Sequence, residues 1–412
     1  MLEASTVLFL LGFIIFVGYF SLKFFERMKI PDIIILMLLG LILGPLYNIL
    51  GEGSVGLFRL IMPIVSAIAL ILILFESGLN LNFFKVLKTL GTATLFTIAV
   101  SGLSVIAVAA AAFFIFGWPL LVCLLFGIIV GGTDSAVVVS LINKTSASED
   151  TKMLIDLETT INDVLIVFAF AVAGIITAQA VDISAVGQQI LGSFSISAVA
   201  GLVAAIAWLK VKDHLKGGKY EYILTLAVIF LLYAFVEYFR ANGAIAAFVF
   251  GIILGNAGEI ATMLKINVRE VDGKIALFQE EISFLVRTVF FVYLGVVFEI
   301  GAISLVALAA GMVFVIVIAF SRFGAARIIL GKSKKFKEDL KLITSSMSRG
   351  IAAAVLASVP LSIGLPQGKD IFYLAFIVIL FSNVFTTAGI FLSERGREGQ
   401  KPTDENVEEI RV

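Results

Sequence analysis

Long apolar runs separated by short polar stretches dominate the chain. They fall near 5–25, 31–50, 57–77, 88–116, 119–142, 151–178, 187–211, 219–239, 242–256, 278–299, 302–330, 339–364 and 369–393. A bilayer core of about 30 Å needs roughly 20 apolar residues in a helix. The pattern therefore predicts an all-α membrane protein with 13 transmembrane helices, of which the ninth, at 242–256, is short. The first run begins at once without a basic leader, so no cleavable signal peptide is expected. Composition agrees: 60% of residues are hydrophobic and 15% charged, against about 45–50% and about 25% in soluble domains. With a mean hydropathy of +1.10, a water-soluble fold has too little interior to hide the apolar side chains.

The basic residues orient the spans. Of 30 Lys and Arg, 22 fall in one set of alternate loops: at 23–29, 85–88, 144–152, 210–219, 265–274, 332–337 and 395–411. The opposite loops hold Arg240, Lys369 and, at a span edge, Arg59. Dropping one span would scramble this asymmetry, which supports an odd count, an outside N-terminus and a cytoplasmic C-terminus. A multi-pass protein of the cell membrane is expected. Lys+Arg and Asp+Glu balance at 30 each, so nothing points to a nucleic-acid partner. One cysteine, Cys123, excludes an intrachain disulfide and Cys-ligated clusters, and one histidine, His214, argues against a His-built metal site or haem. No cofactor is expected. The tail 394–412 is polar and reads as solvated or disordered. The stretch 256–278 alternates charged and apolar residues, which suits an amphipathic helix on the inner surface or an ordinary loop.

The chain also echoes itself. Span two contains Gly40-Leu41-Ile42-Leu43-Gly44-Pro45 and span nine Gly251-Ile252-Ile253-Leu254-Gly255-Asn256. Span five is broken by Gly131-Gly132-Thr133-Asp134-Ser135, and span twelve by Ser345-Ser346-Met347-Ser348-Arg349-Gly350. Pairing spans one to six with eight to thirteen aligns both echoes, and the odd number of spans between the copies makes them opposite in topology. The expected layout is a first inverted repeat at 1–178, a connecting helix at 179–218, a second repeat at 219–393 and the tail at 394–412, with spans five and twelve broken and crossing.

An ionised side chain at the bilayer centre costs at least about 2.5–3.5 kcal/mol, so intramembrane charges need partners or a task. Span six reads Asp156-Leu157-Glu158-Thr159-Thr160-Ile161-Asn162-Asp163. Asp163 lies about 18 Å beyond the span's start at Thr151, close to the middle. Asp156, Thr159 and Asp163 share one stripe, with Glu158 and Asn162 on a second beside it. A carboxylate and a hydroxyl on one face, opposite unwound backbone, offer the hard oxygens that a small alkali cation takes. In the span-five break the glycines leave Thr133 free to offer its carbonyl, with Asp134 next to it. The competing readings are a structural ion pair for Asp163 and a satisfied polar kink for Thr133 and Asp134. Glu76, toward the inner third of span three, either completes the oxygen shell or snorkels to the interface. Arg349 lies level with the carboxylates of span six and needs a carboxylate partner; Glu158 is the first candidate, with Arg322 as a competitor for it. Arg322 and Arg327 otherwise snorkel, and Arg287 has no obvious neighbour in sequence.

With Thr133-Asp134 in a broken fifth span, Asn162-Asp163 in the sixth and Arg349 in a broken twelfth, the chain resembles the monovalent cation:proton antiporters. It looks like the prokaryotic NhaP-type sodium/proton antiporters, from the first span to the thirteenth. The resemblance implies a homodimer, with spans 1–3 and 8–10 on the dimer side and 4–6 and 11–13 as a moving core. It also implies that Asp163 binds either the cation or the proton, and that Thr133, Thr159 and Glu76 contact the cation with Asp134 nearby. Glu158 becomes a structural acid engaged with a core arginine, Asn162 and Arg349 supports of the site, and Asp156 part of the funnel leading in. Asn162, where the electrogenic branch has a second aspartate, implies one-for-one exchange. Ser135 stands where some relatives have proline.

The expected activity is exchange of Na+ or Li+ for H+ across the bilayer, serving pH homeostasis rather than enzymatic chemistry. Burial raises an aspartate pKa and a bound cation lowers it, so the two guests compete at Asp163. The rivals are a K+/H+ exchanger, an intramembrane aspartyl protease using Asp134 and Asp163 as a dyad, and a channel.

Overall fold

Apolar runs in a membrane become helices because only hydrogen bonds within the segment can satisfy a lipid-exposed backbone. The computed structural model describes residues 4–28, 30–46, 52–81, 91–162, 183–214, 220–264, 273–299, 304–331, 333 and 335–398, and among these it is helical throughout, with no strand. The helices are α1 (Ala4–Met28), α2 (Asp32–Leu41), α3 (Glu52–Asn80), α4 (Thr92–Phe116), α5 (Leu120–Gly131), α6 (Ser135–Asn143), α7 (Glu149–Asn162) and α8 (Ile183–His214). They continue with α9 (Glu221–Tyr238), α10 (Gly243–Gly255), α11 (Ala257–Leu264), α12 (Gly273–Val297), α13 (Leu305–Ala325), α14 (Leu340–Ser345), α15 (Ile351–Ser362) and α16 (Gly368–Glu398). Local chemistry sets several ends. Pro31 and Pro119 precede α2 and α5. Asn242 and Ser304 cap α10 and α13 through their side chains, each accepting from a backbone N–H at 3.0 Å. α4 closes on Gly117 at φ 64°, a conformation glycine adopts without steric cost.

Among the described residues six helices are long and apolar enough to cross a membrane: Leu8–Phe25, Ala93–Phe116, Leu191–Lys212, Glu221–Tyr238, Leu305–Leu330 and Gly368–Arg395. Shorter apolar helices lie at Asp32–Gly44, Ile64–Asn80, Leu120–Gly131 and Ile351–Leu361. The expected fifth and twelfth spans are each two helices, α5 with α6 and α14 with α15, separated by non-helical backbone. The deep half of span six, 163–178, lies outside the described residues. The stretch after Asn256 begins as a helix, α11, bent 76° from α10, and α12 starts at Gly273, five residues earlier than expected. α16 runs to Glu398. The tail's first residues are therefore helical rather than disordered, and Glu394 accepts hydrogen bonds from the backbone and hydroxyl of Ser146.

Packing sorts the helices into two groups. In the first, α3 packs on α10 and α12, α2 on α12, α10 on α8 and α9, and α1 on α2 and α12. In the second, α4 packs on α5, α7 and α13, while α16 packs on α13, α14 and α15. The groups meet where α15 lies on α3 and α16 touches α2. Several crossings in the first group are close enough to require glycine, two of them between facing glycines. Gly40 of α2 faces Gly295 of α12, and a Cβ there would sit 2.7 Å from the Gly295 Cα; Gly251 of α10 faces Gly78 of α3, where the same distance would be 3.2 Å. Bare backbones approach this way in membranes because dispersion replaces the hydrophobic effect as the force between helices.

Candidate functional site

The two breaks lie against each other. α5 stops at Gly131, and Gly132 to Asp134 run extended before α6 begins. Opposite, Ser346 to Gly350 separate α14 from α15. The Asp134 N–H donates to the Ser348 carbonyl at 2.9 Å, joining the two strands of open backbone. The Asp134 carboxylate caps α6 by accepting from the Val137 N–H at 3.0 Å, and it lies in contact with Gly350, where no side chain would fit.

Unwound backbone inside a membrane must find other partners, and Arg349 supplies three. Its guanidinium donates to the carbonyls of Val130 (2.6 Å), Gly131 (3.0 Å) and Met347 (2.5 Å). Val130 and Gly131 end α5, so the cation satisfies orphan acceptors at the negative end of a helix dipole. The pairing of Arg349 with Glu158 expected from sequence is therefore corrected. α16 completes the satisfaction of the second break: Asn383 donates to the Arg349 carbonyl at 2.6 Å and accepts from the Ser348 hydroxyl at 2.7 Å, while Ser382 accepts from the Arg349 N–H at 3.2 Å.

Glu158 instead holds Arg322, through two parallel bonds of 2.5 and 2.7 Å. Both side chains are almost completely enclosed, at 0% and 1% exposed. Arg322 does not snorkel because its depth in α13 sets it opposite α7, and its Nε donates to the Ile343 carbonyl at 2.7 Å. Thr133 donates its hydroxyl to Glu158 at 3.0 Å, tying the pair to the first break. One acid thus links the first break, α7 and α13.

A cavity of about 30 Å³ opens beside the crossing, room for one water-sized guest. Its polar wall is Thr133, Asp134 and Asn162, with Gly132 and Gly350 bringing in bare backbone; Ile128, Ile129 and Leu356 form part of the apolar wall. Asn162 is 4% exposed, and its Oδ1 accepts from the Ser101 hydroxyl of α4. The Asn162 Nδ2 has no hydrogen-bond partner among the described residues.

A sequence model of a family described as sodium/hydrogen exchanger, transmembrane, matches residues 12–393. The chain belongs to the sodium/hydrogen exchanger family. The exchanger is 27% identical over 371 residues to the Na(+)/H(+) antiporter 1 of Methanocaldococcus jannaschii, a match covering 84% of this chain and 81% of that one. It is 28% identical over 389 residues to the K(+)/H(+) antiporter NhaP2 of Shewanella sp. (strain MR-4), covering 90% of this chain and 63% of that relative. The solved structure of the sodium proton antiporter MjNhaP1 from M. jannaschii at pH 8 shares the fold, with a TM-score of 0.75 at 21% identity, covering 95% of this chain and 99% of that one. The relatives are transporters, and the protease reading is set aside with them.

Of the residues singled out in the exchanger's sequence, Thr133, Asp134 and Asn162 meet at the cavity, while Glu158 and Arg349 brace it. Asp163 lies outside the described residues, directly after Asn162. Thr159 is fully buried, with its hydroxyl donating to the Asp156 carbonyl in its own helix at 3.1 Å, and Asp156 is exposed. Glu76 accepts from the hydroxyl of Ser283 on α12. Arg287 has a neighbour after all, Asp32 at 3.8 Å. Sequence reasoning passed over Ser101, Asp32, Ser382 and Asn383. The signal for the last two was present as a Ser-Asn pair inside an apolar span.

Proposed function

We propose that the exchanger carries Na+ (or Li+) inward or outward against H+, one for one, by alternating access with competition at Asp163. The observation that carries this reading is the cavity at the crossed breaks. It is lined by Thr133, Asp134 and Asn162, the residue preceding Asp163. A desolvated carboxylate resists ionisation unless a cation arrives. The protonated and the cation-loaded forms of Asp163 are then both neutral enough to move, whereas the empty anion is penalised. Asn162 adds no second charge, which favours exchange that moves no net charge. Thr133, Thr159 and Glu76 supply further oxygens to the cation.

Thirteen spans in two inverted repeats complete the reading. Supporting it, the Gly40–Gly295 crossing joins spans two and ten and the Gly251–Gly78 crossing joins spans nine and three, which are equivalent pairs when spans one to six are laid on eight to thirteen. The two packing groups match a dimer side and a moving core, so we take the protein to be a homodimer of the cell membrane with its C-terminus in the cytoplasm. Exchange of K+ is the second reading, favoured by the likeness to a K(+)/H(+) antiporter.

Proteoliposome exchange with Na+, Li+ and K+ tests the proposal. Wild type should exchange Na+ for H+ at a rate indifferent to an imposed membrane potential, and Asp163→Asn should not exchange at all. Proton-driven Na+ flux persisting in Asp163→Asn would remove Asp163 from the mechanism, and K+ outcompeting Na+ would decide for the second reading.

A further inference from the structure

The Glu76 carboxylate ends a hydrogen-bonded chain that the exchange mechanism leaves unused. Tyr222, in the first turn of α9, donates its hydroxyl to Gln279 Oε1 on α12 at 2.8 Å. Gln279 Nε2 donates to Ser283 Oγ one turn further at 2.9 Å, and Ser283 donates to Glu76 Oε2 on α3 at 2.5 Å. Every donor points toward the carboxylate. Tyr222 and Gln279 are buried, and Ser283 and Glu76 are partly so. A chain polarised in one direction strengthens its final bond, and a hydroxyl donating to a carboxylate is among the strong hydrogen bonds. The chain is no proton wire, since the Gln279 amide in its middle would have to become an imidic acid to pass a proton on. Its effect is to hold one oxygen of Glu76 in a fixed place.

The helices that carry the chain give it a direction. α3, α9 and α12 all belong to the first packing group, whereas Thr133, Asp134 and Asn162 belong to the second. α15 packs on α3, and Asp134 lies within electrostatic range of Glu76. Glu76 sits one turn from the end of α3 and faces Asp134, a residue of the cavity wall, across the boundary between groups. Movement of one group against the other alters that separation. Resting on the exchange mechanism above, we infer that Ser283 is a positioning residue. With Gln279 and Tyr222 it fixes Glu76 as a cation ligand within reach from one face of the membrane only, the face at which α9 begins.

The test reconstitutes the full-length protein in a single orientation and measures Na+-driven proton flux with Na+ presented at each face in turn. Ser283→Ala should raise the apparent KM for Na+ about tenfold at the α9 face, the scale of one lost charge-assisted hydrogen bond. KM at the other face and Vmax should stay unchanged. Ser283→Thr, which keeps the hydroxyl, should retain wild-type values, and Tyr222→Phe should give a smaller shift at the same face. Equal shifts at both faces, or no shift in Ser283→Ala and Tyr222→Phe, overturn the inference. If Ser283→Ala does not accumulate, Tyr222→Phe decides alone. Asp163→Asn run in parallel separates the two claims: exchange persisting there sinks the mechanism, whereas exchange lost there with unchanged KM in the Ser283 and Tyr222 variants sinks only the positioning role.

Discussion

The partner of Glu158 can be established by double-mutant cycles. Arg322→Met removes a guanidinium that makes two bonds to Glu158, at 2.5 and 2.7 Å, and leaves a fully buried carboxylate with, among the described residues, the Thr133 hydroxyl at 3.0 Å. Breaking a buried pair from one side costs about 3–5 kcal/mol, because the remaining charge is uncompensated. Glu158→Gln should cost a similar amount, since it leaves the buried Arg322 cation without a counter-charge, held by neutral acceptors such as the Ile343 carbonyl and by the face of Phe96. The double variant buries no charge. Its main defects are the Ile343 carbonyl, left with a long bond of 3.4 Å from the Ser346 N–H, and the new amide donor at position 158, worth together about 1–3 kcal/mol. The cycle should therefore show favourable coupling of about 3 kcal/mol or more, far above the few tenths expected of independent sites. The assay is unfolding of the detergent-solubilised protein in SDS titrations for wild type, both single variants and the double. A parallel cycle of Glu158→Gln with Arg349→Met should show clearly weaker coupling, because Arg349 bonds carbonyls and meets Glu158 only through its field. Additivity in the first cycle, or coupling as large in the second, would refute the assignment of the pairs.

Two further outcomes follow from the same geometry. Asn383→Leu strips the partner from the Arg349 carbonyl and the Ser348 hydroxyl, at about 1–3 kcal/mol for each buried group left unpaired. It should lower the melting temperature and the exchange rate together, while Asn383→Gln in place of Leu should not restore either, since the longer side chain misplaces both atoms. Gly251→Val forces a branched side chain into backbone of α3, with the Leu79 nitrogen 3.0 Å from where the Cβ would stand. It should prevent the α3–α10 crossing and abolish recovery of monodisperse protein in size-exclusion chromatography, whereas Gly258→Ala, which meets nothing within 4 Å, should behave as wild type.

What the linear sequence determined follows from the bilayer as solvent. Runs of some 20 apolar residues have no other stable home, so the helical class and the neighbourhood of most spans were legible before any contact was known. The two breaks were legible for the same reason, since glycines with Thr133 and Asp134, or serines with Arg349, are too costly in mid-membrane without a purpose. Depth along a helix also follows from counting, and it put Glu158, Arg322 and Arg349 within reach of one another. Counting does not say which way a side chain faces across the bundle, however. Glu158 had two arginines near its level, and only the packing of α7 on α4, with α13 behind it, assigned it to Arg322 and released Arg349 to the carbonyls of α5. Asp32 met Arg287, and Ser283 met Glu76, through helices more than 200 residues apart in the chain. Such pairs carry no local signature, because a hydrogen bond is decided within a few tenths of an ångström and sequence spacing resolves no better than a turn. The tertiary structure chose the partners; the hydrophobic pattern had chosen only the levels at which they could meet.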